Sequence, residues 1–369
     1  VADSLPSNSF KRQLLFLSLV LSMILSGFTK VQARSNSKTI DFHSSASLGQ
    51  LVSGRLNEAG DFFQTGIVGD ACGKVTVPAN VLLKLKANFY AAAHLPLLAN
   101  LQDPNLIALD LSNEGHGFEL NDEQSQVLGK LSNLLFLDIQ MCEVGSKTMK
   151  AICGLKRLRF LDISDSNFTA SDAAGLRELT QLRHLAVNHN KLNDDCFVFL
   201  ESMPQLTILE SMHCGLTANG IHHMKNLRKL RCLKLSNNHL GDAALKKLPE
   251  MPELEEVALN ECGLTSRAIP PLMRFPKLNV LYLDGIIADR ETLNNLTLLR
   301  MIYALSIGGH TPPVKLEDLA VLRRCINLRR LSVTISPKDV YKLNKLLPLV
   351  KVTPSSGPRV QPEVFESAH

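Results

Sequence analysis

The chain is predicted to be an α/β solenoid, a right-handed horseshoe with a parallel sheet inside its curve and helices outside. Three observations carry this. Apolar starts recur at Leu106, Leu134, Leu158, Leu182, Leu206, Leu230, Leu254, Leu278, Ile302 and Leu328, spaced by 28, then 24 seven times, then 26 residues. Counting each start as position 0, apolar residues return at positions 0, 3 and 5, which is strand spacing, and at 15, 18 and 21, which is helical spacing. Finally, at 45% hydrophobic but 5% aromatic and without Trp, the composition rests the core on leucine, not rings.

In chain order, the first segment reads as an address. Lys11 and Arg12 precede an apolar run from Leu14 to Leu25, and Val31-Gln32-Ala33 supplies small residues for cleavage. Residues 1–33 are therefore expected to be a signal peptide, making the protein secreted or periplasmic; an uncleaved membrane anchor is the alternative. The run is short of the ~20 residues a bilayer needs. Residues 34–73, Ser-rich at first and without a sustained period, read as a largely disordered linker with one short helix near Leu48 to Asn57. Lys74 to Pro78 is expected to cap the solenoid, and a degenerate unit from Val81 to Leu101, with Asn88 in the ladder position, to begin it. The repeat domain spans 74–353. Its last strand lies near Val350 to Thr353, and 354–369, rich in proline, is a disordered tail.

Within each coil the strand comes first. Helix starts are marked at positions 11 and 12 by Thr169, Asp194, Thr217, Asp242, Thr265 and Asp289, whose side-chain oxygens can accept free backbone N–H groups. Helix ends are marked by Pro204, Pro252 and Pro276. No unit can cover its apolar face alone, so stacking is compulsory; a helix is wider than a strand, so the stack curves with the sheet inside.

The segment Leu230-Arg-Cys-Leu-Lys-Leu-Ser-Asn-Asn238-His-Leu240 resembles the leucine-rich-repeat consensus L-x-x-L-x-L-x-x-N-x-L. Other coils carry Asn, Cys or Ser at the same place. The resemblance covers roughly residues 80–352 and is nearest to secreted bacterial repeats of about 24 residues, with Cys142, Cys214 and Cys262 similar to the cysteine-containing subclass. It implies a non-enzymatic module binding a protein or peptide on its concave sheet. Two departures stand out: Ser211 replaces the apolar residue at position 5, and Gly308-Gly309 replaces the usual turn, suggesting a bend or longer loop through Thr311-Pro312-Pro313.

Eight cysteines in a secreted chain raise the question of disulfides. Cys142, Cys214 and Cys262 share position 8, but no two lie in adjacent coils, so they read as buried free thiols under the turn. Cys72 lies ahead of the repeats and its pairing is open. No C-x-x-C pair occurs, which argues against a cysteine-based zinc site.

Function is expected on the open face, where positions 2, 4, 6 and 7 point away from the core. Phe136 and Phe160, side by side at position 2, are covered either by a ligand or by residues 34–73 folding back. Asp110, Asp138 and Asp162 form a carboxylate column, relieved by a basic ligand, a cation or solvent. His184, His189 and His213 cluster near Asn188, Glu210 and Met212, a set suited to a metal, a pH-sensitive contact or plain solvation. Ile208 and Lys234 complete the candidate surface. A rim of Lys156, Arg157, Arg159, Arg183, Arg228, Lys229, Arg231 and Arg329 is either solvated or contacts an anionic envelope polymer or lipid. Asn167-Phe-Thr169 and Asn295-Leu-Thr297 are glycosylation sequons, of consequence in a eukaryotic source. The near-balance of 40 Lys+Arg against 35 Asp+Glu argues against nucleic acid. No cofactor, phosphate loop or nucleophile–base pair stands out; a carbohydrate hydrolase centred on Asp138 and Asp162 is the enzymatic rival.

Overall fold

The structure is a computed structural model that describes residues 37–101, 103–112, 118–309 and 313–355. The expected signal peptide, the end of the tail, and Thr311 and Pro312 of the expected loop lie outside the described residues. Among those described, no helix is long and apolar enough to cross a membrane.

The N-terminal strands are β1 (Ser37–Asp41), β2 (Gly49–Leu56), β3 (Phe62–Asp70), β4 (Lys74–Pro78) and β5 (Leu82–Ala87). The coils then supply β6 (Leu106–Asp110), β7 (Phe118–Glu119), β8 (Phe136–Asp138), β9 (Cys142–Glu143), β10 (Phe160–Asp162), β11 (His184–Ala186), β12 (Ile208–Glu210) and β13 (Cys232–Lys234). They continue with β14 (Glu256–Ala258), β15 (Val280–Tyr282), β16 (Ala304–Ile307), β17 (Arg330–Val333) and β18 (Lys351–Pro354). Fourteen of these join one sheet in the order β3-β2-β5-β6-β8, then β10 to β18 in sequence. From β5 onward every pairing is parallel. Residues one period apart are register partners: Leu137, Leu161, Leu185, Leu209 and Leu233 face one another in turn. All five are fully buried. Burying each such leucine is worth roughly 1.5–3 kcal/mol, so the column alone fixes the register.

Of residues 34–73, expected as a linker with one helix, the described residues 37–73 instead carry strands. The segment expected as that helix is β2, paired antiparallel with β3 on one side and β5 on the other. β1 pairs with β4 in a small second sheet. The reason is burial: Ile40, Phe42, Leu48, Leu51 and Val77 close the end of the leucine core, which would otherwise open to water. Too few residues repeat there for a period to show.

Opposite the sheet, the helical segments mix α and 3-10 turns. Ser146–Cys153 and Pro337–Leu346 are α-helical, whereas Asp194–Ser202 and Gly220–Met224 are 3-10. Apolar residues at positions 15, 18 and 21 repeat every third residue, the period at which 3-10 side chains eclipse. Capping follows the expected residues with one change. Thr265 and Asp289 accept N–H groups within their own helices. Asp194 and Asp242 instead reach the next coil, where they take the N–H and hydroxyl of Thr217 and of Thr265.

Candidate functional site

Three positions, polar in most coils, build the turn after each strand. At position 8, Asn190 Oδ1 accepts from the N–H groups of Ser166 and Phe168, while its Nδ2 donates to the carbonyls of Ile163 and Val187. Asn238 repeats this pattern on Cys214, Leu216, Ser211 and Leu235. In other coils a smaller donor takes the place: the Cys142, Cys214 and Cys262 thiols point at the carbonyls of Leu111, Val187 and Leu235. All eight cysteines are free, Cys72 included. Burial pushes the Cys142 and Cys262 thiols up to about 12, so they stay protonated as donors.

Position 7 is the apex of the turn. Met141, Asp165, His189, His213, Asn237 and Glu261 all adopt left-handed backbone angles, with φ between 53° and 61°, and Gly285 and Gly309 follow at 88° and 81°. Strand alternation therefore stops before position 7. His189 and His213 sit on the turn ridge, not on the sheet face where alternation predicted them. Their rings meet edge to face at 5.7 Å, and His189 Nδ1 bonds Asp165 at 2.9 Å. At position 6, Asn188 is only 8% exposed: its Oδ1 accepts from Met212 N–H and its Nδ2 donates to Ser164. Predicted as a ligand contact, Asn188 is a buried turn strut.

The sheet face itself holds the remaining candidates. Phe136 and Phe160 are half-buried, with ring centroids 6.3 Å apart, and His184 stands edge-on to Phe160 at 4.8 Å. Ile208 continues the column in register. Of the two covers expected for the aromatic pair, the structure supplies part of the second: Phe62, from the β2–β3 hairpin, lies edge-on to Phe136 at 6.2 Å. The Arg183 guanidinium holds the tip of that hairpin through the Ala59 carbonyl. The tip thus reaches the coil of His184, and Phe160 and His184 remain half-buried on the face.

Beside this column runs position 4. Lys84 pairs with Asp110 at 2.6 Å. Asp138 and Asp162, register partners, each accept an N–H two residues on, from Gln140 and Ser164. The recurring Asp is thus first a cap for its own turn. Burial, then the charges of Asp162 and Asp110, push the Asp138 carboxyl up to about 7. Burial also raises Asp162, against the Ser164 hydrogen bonds. Glu210 differs: burial raises it, but His184 Nε2 at 3.2 Å and Lys234 Nζ at 3.3 Å outweigh that and hold it at about 2. The face thus presents a protonatable pair at one end and a fixed His184–Glu210–Lys234 chain at the other.

The rim expected to be basic is matched in part: three of its eight cations pair with carboxylates. Lys156 pairs with Glu178, Arg228 with Glu250 and Arg231 with Glu255; Lys229 and Arg157 bond Gln205 and Asn133, and Arg329 bonds nearby carbonyls. The carboxylates sit one coil away, a spacing that the sequence period contained.

The cluster that sequence reasoning missed lies on the helical side, where one ligand atom from each of Glu201, His222 and His223 falls within 4.8 Å of the others. The adjacent His222-His223 was its visible signal.

No family model and no curated protein matches the chain. Solved structures similar to it include an internalin from Listeria monocytogenes, with 18% identity over 76% of this chain and 84% of that one and a TM-score of 0.46. The Arabidopsis receptor kinase HAESA ectodomain, in complex with a peptide hormone, shows 16% identity over 72% of this chain and 44% of its own, with a TM-score of 0.44. A Leptospira interrogans leucine-rich-repeat protein shows 16% identity over 70% and 86%, with a TM-score of 0.36. These likenesses are too loose to bear on the site. The chain's own register, its Asn, Cys and Ser ladder and its continuous parallel sheet are those of a leucine-rich-repeat solenoid.

Proposed function

We propose that the chain is a secreted, non-enzymatic binding module that holds a protein or peptide on the open face of its sheet, between the coils of Asp110 and Lys234. One observation carries the reading. The half-buried column Phe160, His184 and Ile208 stands in register beside charged position 4, giving apolar contact area with polar groups at fixed spacing. Aromatic anchors ringed by such groups are where binding energy concentrates. The carboxylates Asp138 and Asp162 serve their own turns, which favours binding over hydrolysis. Pairing of Lys156, Arg228 and Arg231 with carboxylates lowers the positive charge of the rim, which weakens the case for contact with an envelope polymer. Secretion rests on Lys11-Arg12, the apolar run to Leu25 and Val31-Gln32-Ala33.

The test is capture of a partner from the native secretome with the full chain, followed by the Phe136→Ala, Phe160→Ala double variant. Loss of capture of about 30-fold or more, measured where urea unfolding shows the double variant still fully folded, supports the site. Equal capture by the double variant removes it.

A further inference from the structure

The helical side of the coils turns apolar residues inward, with only the small hydroxyls of Ser125, Thr148 and Thr292 and the buried thiols among them. His223 departs from this as the only buried imidazole among the described residues. It is 8% exposed, at the place occupied in the preceding coil by the buried Phe199, so a polar ring has been put where a hydrophobic one fits. Its Nδ1 lies 2.8 Å from Glu201 Oε1, across the boundary between adjacent coils. The other carboxylate oxygen, Oε2, is taken by Lys225 at 2.6 Å. His222 lies against His223 with ring centroids 3.8 Å apart. Its Nδ1 bonds the Asn219 carbonyl at 2.5 Å, which assigns the proton to Nδ1 and leaves Nε2 with its lone pair.

We propose that Glu201, His222 and His223 form a site for a single divalent transition-metal ion of the zinc class, linking the coil of Asp194–Ser202 to that of Gly220–Met224. Two imidazoles and one carboxylate make a nitrogen-rich, borderline donor set, which suits zinc, copper or nickel over calcium or magnesium. Three protein ligands of this kind leave a fourth position for water or an incoming group. The ligand atoms already lie within 4.8 Å, against the roughly 3.3 Å separating tetrahedral ligands at zinc distances, so side-chain rotation closes the set. The backbone need not move: Asn226 Nδ2 holds the Glu201 carbonyl at 2.7 Å. Lys225 and the Asn219 carbonyl act as outer partners that orient the carboxylate and the His222 ring. Coordination through His223 Nδ1 calls for the Nε2–H tautomer of the neutral ring in place of the Nδ1–H that faces Glu201.

The experiment titrates the full chain with zinc chloride against a chromophoric chelator and follows the thermal midpoint with and without EDTA. One ion per chain is expected, with an EDTA-reversible rise in the midpoint. His222→Ala, at an exposed position, and Glu201→Gln, which keeps the shape of the side chain, should each weaken zinc at least 10-fold. The paired variant His189→Ala, His213→Ala, on the turn ridge, should leave it unchanged. No zinc binding by the wild-type chain, wild-type affinity in either site variant, or loss in the His189, His213 pair instead would each overturn the proposal.

Discussion

The Phe62 ring meets the Phe136 ring edge-on, 6.2 Å between centroids and 62° between planes, so an N-terminal hairpin reaches onto the working face of the repeats. A Cβ on Gly54 would stand 2.2 Å from the Phe62 ring, showing how closely the ring lies along β2. Removing the ring costs that packing and the aromatic contact, each on the order of 1 kcal/mol. Phe62→Ala should lower stability by about 1–2 kcal/mol and speed amide exchange in residues 57–63, leaving the leucine column protected. Unchanged exchange at the hairpin tip would mean that Arg183 and Ala59 hold it without the ring.

This contact also marks the limit of the sequence. The register of β8 to β17 was legible because Leu137, Leu161, Leu185, Leu209 and Leu233 repeat the same burial every period. The cap was not legible, because Phe42, Leu48 and Leu51 each fill a unique gap. The open-face residues Phe136, Phe160, His184 and Glu210 fell where strand alternation put them. His189, His213 and Asn188 did not, since the strand has ended by positions 6 and 7 and turn geometry takes over. A polar residue beside a turn serves the turn before it serves a ligand, and period counting does not separate the two.

Asp138 makes the fold pH-dependent. Its carboxyl titrates near 7 in the folded chain, against an ordinary value of 3.8, so the folded state holds the extra proton between those values. Stability therefore falls as pH rises through that window, and the cost is fully present above about pH 7. A shift of this size is worth about 4 kcal/mol at most, and partial exposure cuts it to on the order of 1–2 kcal/mol. Asp138→Asn should flatten the dependence and raise stability at pH 8 relative to wild type. Urea unfolding at pH 5 and pH 8 measures it; parallel pH profiles for the two chains would contradict the assignment.

Asn190 should be among the costliest polar residues to remove. Five hydrogen bonds run through its amide, and all join backbone groups with no other access to water. Asn190→Ala is expected to cost about 2–4 kcal/mol. Asn190→Cys should recover part of that, because Cys214 fills the same place in the next coil with its thiol on the Val187 carbonyl. A cysteine variant no better than alanine would show that the N–H acceptor function of Asn190, which a thiol supplies weakly, dominates.

Ser211 is the opposite case. It takes position 5, which Val187 and Leu235 occupy in the flanking coils, and its hydroxyl is fully buried without a hydrogen-bond partner of ordinary geometry. Leaving such a hydroxyl dry costs about 1–3 kcal/mol, whereas the methyl group of alanine fits the same space without that penalty. Ser211→Ala should therefore raise the urea midpoint by the equivalent of about 1 kcal/mol at an unchanged slope. Ser211→Val, by restoring the apolar column between Val187 and Leu235, should do at least as well if the cavity admits two more methyl groups. A loss of stability in both variants would mean that the hydroxyl is bonded to a trapped water, and that the coil of Leu206 is built around it.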